Sequence, residues 1–410
     1  MTSAATIPPA NLLGAPRGAS LGTETLDRAL CTLRDHLDLD VAFVAEFRES
    51  DRIFRHVDAR AGSPVQAGDA LPLERGYCQR IVDGRLPELI ADTRELPAAA
   101  ELPETTAVPI GCHLSVPIRL ADGRVFGTLC CFGFAPDPTL GVRDLKMMQA
   151  FAELLGFQID RDLRDQRSLT ERGARIEAAI SAGDPAIVFQ PIFDLTQRRL
   201  AGLEALSRFA SRPERPPDAW FAEAAATGFA SRLEIASIRA ALCALPLLPA
   251  SAHLAINCSP STLLDDEVRR ILQRSDIARI VLEITEHTEI ADPAPLLAVL
   301  APLRRLGLRV AIDDAGAGYA SLRHVLNLQP DLIKLDRSLV HAIDSDATRR
   351  ALASALIAFA HETRARIVAE GVETEAELRV LERLGAHCAQ GFFLGRPLPL
   401  SEALRQPFRR

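Results

Sequence analysis

The chain has 410 residues, of which 48% are hydrophobic and 25% are charged, as in a soluble globular protein of two or three domains. Its formal net charge of -7 argues against binding to a nucleic-acid polymer or a membrane surface, because no basic stripe is available to neutralise many phosphates. The eight cysteines form no C-x-x-C pair, and we find no secretory segment or long apolar span. These features predict a reduced, cytoplasmic protein.

Lysine is rare in this chain. Only Lys146 and Lys334 are lysines, and the other basic residues are arginines. A lysine here therefore indicates a position that needs a compact or titratable ammonium group.

The amino-terminal region is predicted to form an α+β domain. Residues 1–20 are rich in Ala, Pro, Gly and Ser without periodicity, which predicts disorder. Leucines at helical spacing then predict a helix, and Val41–Phe47 predicts a strand that packs on it. A later run, Leu114–Leu120, is joined by Ala-Asp-Gly to Val125–Phe132, as in a hairpin. We expect an antiparallel sheet with helices on one side.

The order of these elements, with Gly76–Leu89 and Gly111–Ile118 in the middle, resembles a GAF sensory domain over residues 21–160. The resemblance implies a small-molecule ligand of unknown identity, since the Asn-Lys-x-Phe-Asp-Glu signature of cyclic-nucleotide binders is missing. We interpret Cys78 and His113 as packing residues.

The adjacent Cys130 and Cys131 would point to opposite faces of a strand. A redox pair between them is therefore less favoured than ordinary packing.

A long amphipathic helix is predicted over residues 141–180. Apolar residues from Leu145 to Leu163 fall on one stripe, and Arg, Asp and Glu occupy the remaining faces. Two interpretations stay open: a signalling helix that pairs with its twin in a homodimer, and a helix that closes the first domain.

From residue 186 onward, short β-rich runs alternate with helical stretches. Eight such units predict a parallel sheet closed into a (β/α)8 barrel of the TIM type. The predicted strands are Ala186–Gln190, Leu200–Leu206, His253–Asn257, Arg279–Ile284, Leu308–Asp313, Asp331–Leu335, Arg366–Glu370 and Ala386–Gln390.

The residues near the ends of these strands are the candidates for an active site, because such barrels place their chemistry at the carboxyl ends of the strands. They are Gln190, Glu204, Asn257, Glu283, Asp313, Asp314, Lys334, Glu370 and Gln390. Carboxylate and amide oxygens suit Mg²⁺ or Mn²⁺, whereas zinc would require His or Cys. Physical reasoning leaves two chemistries open: enolate formation with Lys334 as the base, and two-metal cleavage of a phosphodiester.

An ordered set of motifs from residue 175 to the C-terminus resembles the EAL phosphodiesterase family. The motifs are Phe189-Gln-Pro-Ile192, Glu204-Ala-Leu-Ser-Arg-Phe209, Ile256-Asn-Cys-Ser-Pro260, Leu282-Glu-Ile-Thr-Glu286, Asp313-Asp314, Ile333-Lys-Leu-Asp336, Ala369-Glu-Gly-Val-Glu373 and Gln390-Gly-Phe-Phe393. The resemblance implies hydrolysis of the bacterial second messenger cyclic di-GMP to linear pGpG with two divalent metals. A second Glu-Ala-Leu at Glu402–Leu404 lies in a terminal helix-like segment and is expected to have no such role.

The resemblance also implies a role for each matching residue. The first metal would be held by Glu204, Asn257, Glu283 and Asp313, and the second by Asp314 and Glu370. Lys334 would lie beside the attacking water and act with Glu204 and Glu370 in catalysis. The substrate would be bound by Gln190, Leu206, Arg208 and Gln390. Glu286 and Glu373 would orient the metal ligands and brace the loop after Asp314.

One segment departs from the family pattern. After the paired aspartates the family usually has Phe-Gly-Thr-Gly-Tyr-Ser-Ser, whereas this chain has Ala-Gly-Ala-Gly-Tyr-Ala-Ser over residues 315–321. The metal ligands are kept, so we predict an active enzyme regulated by the first domain. The alternative is a catalytically weak or inactive barrel that acts as a cyclic di-GMP receptor.

Overall fold

The computed structural model describes residues 21–60, 62–284, 292–315 and 325–408. The predicted disordered segment 1–20, Glu286 and residues 316–321 of the divergent loop lie outside these ranges. The backbone of Asp314 is described, but its side chain is not. The chain divides into two compact units, residues 1–166 and 167–410. No described helix is both long enough and apolar enough to cross a membrane.

The first unit is built around one antiparallel sheet. Its helices are α1 (Leu21–Leu37), α2 (Tyr77–Val82), α3 (Pro97–Ala100), α4 (Pro103–Ala107) and the first part of α5 (Val142–Ser181). Its strands are β1 (Val41–Arg48), β2 (Asp51–Ala59), β3 (Ala70–Pro72), β4 (Leu89–Ile90), β5 (Cys112–Arg119) and β6 (Val125–Gly133). The sheet order is β3-β2-β1-β6-β5-β4. The predicted α+β domain with an antiparallel sheet is confirmed.

Both faces of this sheet are covered, although the sequence predicts helices on one side only. Helices α1 and α5 pack on one face, in a cluster that includes Cys131. Helix α2 packs on the other face through Tyr77, Cys78 and Ile81, in a cluster that includes Cys130. Cys130 and Cys131 therefore do point to opposite faces, as predicted.

The second unit is a closed eight-stranded barrel. Its strands are β7 (Ala186–Asp194), β8 (Arg199–Arg208), β9 (His253–Cys258), β10 (Ile280–Ile284), β11 (Arg309–Ala315), β12 (Leu332–Leu335), β13 (Arg366–Ala369) and β14 (Cys388–Ala389). Its helices are α6 (Pro217–Ala226), α7 (Ala230–Leu242), α8 (Pro260–Leu263), α9 (Asp266–Gln273), α10 (Ala294–Arg305), α11 (Arg337–Val340), α12 (Ala347–Thr363), α13 (Glu375–Leu384) and α14 (Leu400–Ala403). The strand order around the barrel is β10-β11-β12-β13-β14-β7-β8-β9, which confirms the predicted barrel.

One strand direction was predicted wrongly. Strand β7 runs antiparallel to both of its neighbours, β8 and β14, while the other neighbouring pairs are parallel. Gln190 lies opposite Glu204 in the middle of the β7–β8 pair rather than at the end of a strand. The segment 191–199 between the two predicted runs is shorter than the dozen or more residues that a parallel crossover needs, so a hairpin forms instead.

The interior of the barrel is layered because every second residue of a strand points inward. On β9, His253, Ala255 and Asn257 therefore lie on one face at three successive levels, and Arg309, Ala311 and Asp313 do so on β11. An apolar middle layer receives one buried side chain from each strand except β8, whose Ala201 packs against it. Its members are Ile192, Ala255, Val281, Ala311, Leu332, Val368 and Cys388.

Candidate active site

Four carboxylates converge on the ammonium group of Lys334 above the middle layer. Lys334 Nζ lies 2.7 Å from Glu370 Oε1 and 2.9 Å from Glu283 Oε2. It lies 3.0 Å from Asp313 Oδ1 and 3.5 Å from Glu204 Oε1. Lys334 is 1% exposed, so this arrangement is shielded from bulk water. The structure thus brings together five of the predicted site residues, which come from β8, β10, β11 and β12 and the residue that follows β13.

Three amide side chains complete the cluster. Gln390 Nε2 donates hydrogen bonds to Gln190 Oε1 (3.0 Å) and to Glu204. Asn257 Nδ2 donates to Glu204 Oε1 (3.3 Å), and Gln190 Nε2 donates to the carbonyl of Gly395 (3.0 Å). Gln390 Oε1 is buried and has no hydrogen-bond partner among the described residues. An acceptor in that state favours an incoming donor or cation.

Burial and mutual repulsion shift the ionisation of these groups. Burial raises the pKa of Glu283 well above its ordinary value, against the opposing effect of Lys334, and Glu204 and Asp313 raise it further. Burial likewise raises the pKa of Glu370 to about 8. Burial alone would lower the pKa of Lys334, but the surrounding carboxylates raise it well above its ordinary value. Four acidic side chains crowd one ammonium, and their mutual repulsion favours uptake of protons or of a cation.

The donor set fits a hard divalent cation, although the carboxylates enclose Lys334. Within the described ranges, no group of three or more His, Cys, Asp or Glu side chains is arranged as a ready-made metal site. The side chains of Asp314 and Glu286 lie outside those ranges. The crowded carboxyl and amide oxygens and the unpartnered Gln390 Oε1 are nevertheless the kind of ligands that Mg²⁺ or Mn²⁺ prefers.

A cavity of about 220 Å³ opens above the cluster. It is lined by Gln190, Glu204, Asp313, Lys334, Arg337, Glu370, Gly371, Glu373, Gln390, Gly391 and Phe392. Arg337 and Phe392 were not predicted. Arg337 Nη2 donates to Glu373 Oε1 at 2.7 Å, and Phe392 is 46% exposed with the Arg396 guanidinium 4.5 Å from its ring centre. The sequence signal for Phe392 was the presence of an aromatic residue within the Gln-Gly-Phe-Phe motif.

Two predicted substrate-binding residues lie apart from this cavity. Arg208 is exposed at the end of β8, and its guanidinium donates to the carbonyl of Ser207 at 2.7 Å. Leu206 is half-buried on the same strand. Neither is among the described residues that line the cavity, whereas the other two, Gln190 and Gln390, are.

Glu377 organises the loop that carries Glu370 and Glu373, and it was not predicted. Its buried carboxylate accepts hydrogen bonds from the backbone N–H groups of Glu373 (2.8 Å), Thr374 (3.0 Å) and Ala342 (2.9 Å). These bonds lower its pKa despite burial. Thr374 and Glu377 form a capping box at the start of α13, and the Thr-x-x-Glu spacing could have identified it.

The ionisation of Glu370 gives a testable pH dependence in metal-free protein. Its carboxyl has an ordinary pKa of 4.5 and a folded-state pKa of about 8, so the stability it contributes is present below pH 4.5 and is lost as the pH rises through 8. Glu370→Gln should therefore stabilise the protein relative to wild type at pH 8 by about 2–4 kcal/mol, and by less at pH 5.

Urea unfolding in the presence of a chelator measures this difference. Fluorescence of Trp220, the single tryptophan of the chain, reports on the second unit, in which it is fully buried. In excess Mn²⁺, wild type should become more stable than Glu370→Gln, because the variant lacks a predicted metal ligand. The exposed Glu402→Gln is the control. A pH-independent difference between wild type and Glu370→Gln would contradict the assignment.

A second cavity, of about 260 Å³, lies in the first unit. Most of its lining residues are apolar or aromatic. Of its two guanidinium groups, that of Arg52 is engaged by Glu104 and by Cys78 Sγ (3.2 Å), and that of Arg75 is exposed. His113 stacks on Tyr77 with ring centres 4.3 Å apart, and burial lowers its pKa to about 3, which keeps the imidazole neutral. The interior of the cavity is therefore mostly apolar, with the exposed Arg75 as the one charged lining group that has no partner among the described residues.

The fold and the site define a two-domain protein, in which a barrel with a carboxylate-rich rim follows an antiparallel-sheet domain. An EAL domain model matches residues 174–397, more than half of the chain, and a GAF domain model matches residues 23–160. The chain belongs to the EAL domain family. The predicted order, a GAF domain followed by an EAL domain, is confirmed.

Curated relatives share part of this chain. Over 225 residues it is 34% identical to cyclic di-GMP phosphodiesterase NbdA of Pseudomonas aeruginosa, covering 52% of this chain and 29% of that protein. Over 254 residues it is 28% identical to probable cyclic di-GMP phosphodiesterase PdeB of Escherichia coli, covering 59% of this chain and 48% of that protein. The chain spans between about a fifth and about a half of the length of the curated relatives it matches.

Solved structures share the fold. The PaMucR phosphodiesterase in complex with c-di-GMP aligns with a TM-score of 0.51 at 29% identity, covering 57% of this chain and 99% of that one. The EAL enzyme Bd1971 with bound cAMP and cyclic di-GMP aligns with a TM-score of 0.55, covering 89% and 92% of the two chains. At 19% identity, the second likeness concerns the fold alone.

Proposed function

We propose that the barrel is a metal-dependent hydrolase that converts cyclic di-GMP to linear pGpG. The observation that carries this proposal is the convergence of four carboxylates on Lys334 Nζ, each within 3.5 Å, at one rim of the barrel. Relatives that cover this barrel are named cyclic di-GMP phosphodiesterases. The alternative of enolate chemistry is disfavoured, because Lys334 is held protonated by its carboxylates and is a poor base.

The proposed metal ligands divide into two sets. Glu204, Asn257, Glu283 and Asp313 would hold one ion, and Asp314 and Glu370 the other. Bound Mg²⁺ or Mn²⁺ supplies an activated water and neutralises charge on the phosphodiester. The chain itself contributes the Lys334 ammonium, which donates hydrogen bonds at the centre of the cluster and offsets negative charge on phosphoryl oxygens. Gln390 donates a hydrogen bond to Glu204 and fixes its orientation, and Gln190 accepts a second hydrogen bond from the same amide group of Gln390.

Residues at the mouth of the cavity are suited to the substrate. Phe392 offers an exposed aromatic face on which a guanine can stack, and Arg337 offers a guanidinium for a phosphate. Arg208 and Leu206 lie farther out and would contact the part of the dinucleotide that extends beyond the cavity. Glu373 holds Arg337 in place through its carboxylate.

Product analysis tests the activity directly. Purified protein is incubated with cyclic di-GMP and either Mg²⁺ or Mn²⁺, and the nucleotides are separated by liquid chromatography and identified by mass spectrometry. Metal-dependent appearance of linear pGpG supports the proposal. Absence of the linear product with both metals would refute it, and tight binding without turnover would select the receptor alternative.

The cavity of the first unit is proposed to bind a small, uncharged aromatic or apolar molecule that regulates the barrel. Most of its lining is apolar or aromatic, Arg52 is already engaged by Glu104 and Cys78, and the other guanidinium, of Arg75, is exposed to solvent, so the interior of the cavity favours an apolar ligand. Indole serves as the probe, and unfolding of the first unit is followed by circular dichroism. Indole should raise the unfolding temperature of wild type and of Val142→Trp, an exposed control. It should not do so for Val108→Trp, which fills the cavity; equal shifts in all three proteins would contradict the site.

A homodimer is proposed through α5. Leu154 and Phe157, three residues apart on this helix, are 67% and 63% exposed, which is typical of a helix face that pairs with a twin. Wild type should have the mass of a dimer in light scattering coupled to size-exclusion chromatography, and the double variant Leu154→Glu/Phe157→Glu that of a monomer. Leu247→Glu, equally exposed at 67%, controls for the added charge. A dimeric double variant, or a monomeric wild type, would exclude this interface.

A further inference from the structure

A cavity of about 180 Å³ lies at the rim of the barrel opposite the carboxylate cluster, below the apolar middle layer. Its charged and polar side chains are Arg199, Arg279, Arg309, Arg366, His253, Asp194 and Ser251. Four guanidinium groups therefore face one carboxylate. Arg199 and Ser251, which border the cavity, are exposed, so it is open to solvent.

The partners of the four arginines differ. Arg199 donates to the side chain of Gln197. Arg366 Nη2 donates to Asp194 Oδ2 at 2.9 Å. Arg279 donates to backbone carbonyls, among them that of Ala252. Arg309 is half-buried and has no hydrogen-bond or ion-pair partner in the described part of the chain. Burial and repulsion from Arg366 lower its pKa, although Asp331 opposes this.

His253 reports the same positive environment. Its side chain is 5% exposed and accepts no proton readily, because burial, Arg309 and Arg366 together lower its pKa to about 3. The ring hydrogen-bonds to the backbone of Ala201, and Nε2 is buried without a partner among the described residues. Because His253 is neutral and the four arginines face Asp194 alone in the lining, the cavity carries net positive charge.

We propose that this cavity, which we call the arginine floor, binds a phosphate oxyanion, either free phosphate or the phosphate of a small monoester. A guanidinium without a carboxylate partner binds phosphate in a bidentate manner. The cavity has room for a compact anion, and its basic lining favours one. The inference does not depend on catalysis at the other rim.

The test is anion-dependent stabilisation of the full chain. Thermal unfolding is followed by Trp220 fluorescence at increasing concentrations of inorganic phosphate, and in parallel of guanosine 5′-monophosphate, against chloride at equal ionic strength. A chelator is present throughout, and the metal-free carboxylate rim repels anions. We expect at least one of the two ligands to raise the unfolding temperature above that in chloride. The ligand that binds more tightly identifies the source of the phosphate. No shift with either ligand would overturn the proposal.

Two variants localise the binding. Arg309→Gln is expected to weaken phosphate binding at least tenfold, while the matched Arg305→Gln, an exposed arginine at the end of α10, leaves it unchanged. Ser251→Asp adds a carboxylate at the exposed border without removing an arginine, and it should weaken binding similarly even if Arg309→Gln folds poorly. Unchanged affinity in Ser251→Asp and in folded Arg309→Gln would refute the site.

Discussion

Glu204→Gln is expected to reduce the turnover of cyclic di-GMP by about 10²–10³-fold or more, the range that follows loss of one electrostatic stabiliser in an active site. Glu204 is 6% exposed, accepts hydrogen bonds from Asn257 and Gln390, and faces Lys334. Glutamine keeps the shape of the side chain but removes its charge and turns one acceptor into a donor. That donor would face the amide donor of either Asn257 or Gln390, because the two bond different oxygens of Glu204, so one of these hydrogen bonds would be lost as well.

The chain contains its own control for this substitution. Glu402 begins an identical Glu-Ala-Leu tripeptide, but it is exposed near the C-terminus on α14. Glu402→Gln should leave the rate of pGpG formation unchanged. If both variants keep the activity of wild type, Glu204 does not belong to the catalytic site. If both lose activity to the same extent, the loss reflects a general effect on folding.

Lys334→Met is expected to destabilise the metal-free protein by about 3–5 kcal/mol at pH 8, the usual cost of removing one partner from a buried ion pair. The substitution would leave four carboxylates without the ammonium that all of them face. The cost should be smaller at pH 5, because carboxyls with raised pKa values, such as Glu283, then take up protons. Activity should also fall by at least about 100-fold.

Lys146→Met is the matched control, because Lys146 is the only other lysine of the chain and is exposed on α5. Urea unfolding monitored by Trp220 fluorescence gives the free energy of unfolding with and without excess Mn²⁺. Mn²⁺ should restore part of the stability lost in Lys334→Met, since a divalent cation supplies the missing positive charge. If the two variants are equally stable in chelator, the central role of Lys334 is wrong.

The strand-end carboxylates could be predicted from the sequence because parallel strands bring their carboxyl ends to one rim. Glu283, Asp313 and Glu370 are separated by long stretches of chain, yet all three lie within 3.0 Å of Lys334 Nζ. The roles of Asp314 and Glu286 stay predictions, since their side chains lie outside the described residues. The direction of β7 was missed, although the short connection to β8 excluded a parallel crossover.

Other features depend on tertiary packing that local patterns do not encode. Phe392 lies in a loop and Arg337 lies at the start of α11. Only the closed barrel brings the two residues to one cavity. The arginine floor did have a sequence signal, since His253, Arg279 and Arg366 each begin a predicted strand. The same predicted strands that end near oxygen ligands therefore begin with basic residues. Site residues were predicted only at the carboxyl ends of the strands, because catalysis in such barrels occurs there.

The apolar middle layer closes the barrel at mid-height. The seven side chains that form it are at most 3% exposed, and they offer no strong hydrogen-bond donor or acceptor to water. Neither a water file nor a proton relay can cross such a plug. Each mouth of the barrel therefore exchanges solutes only with the solvent on its own side, and the two mouths can change their ligands independently during evolution.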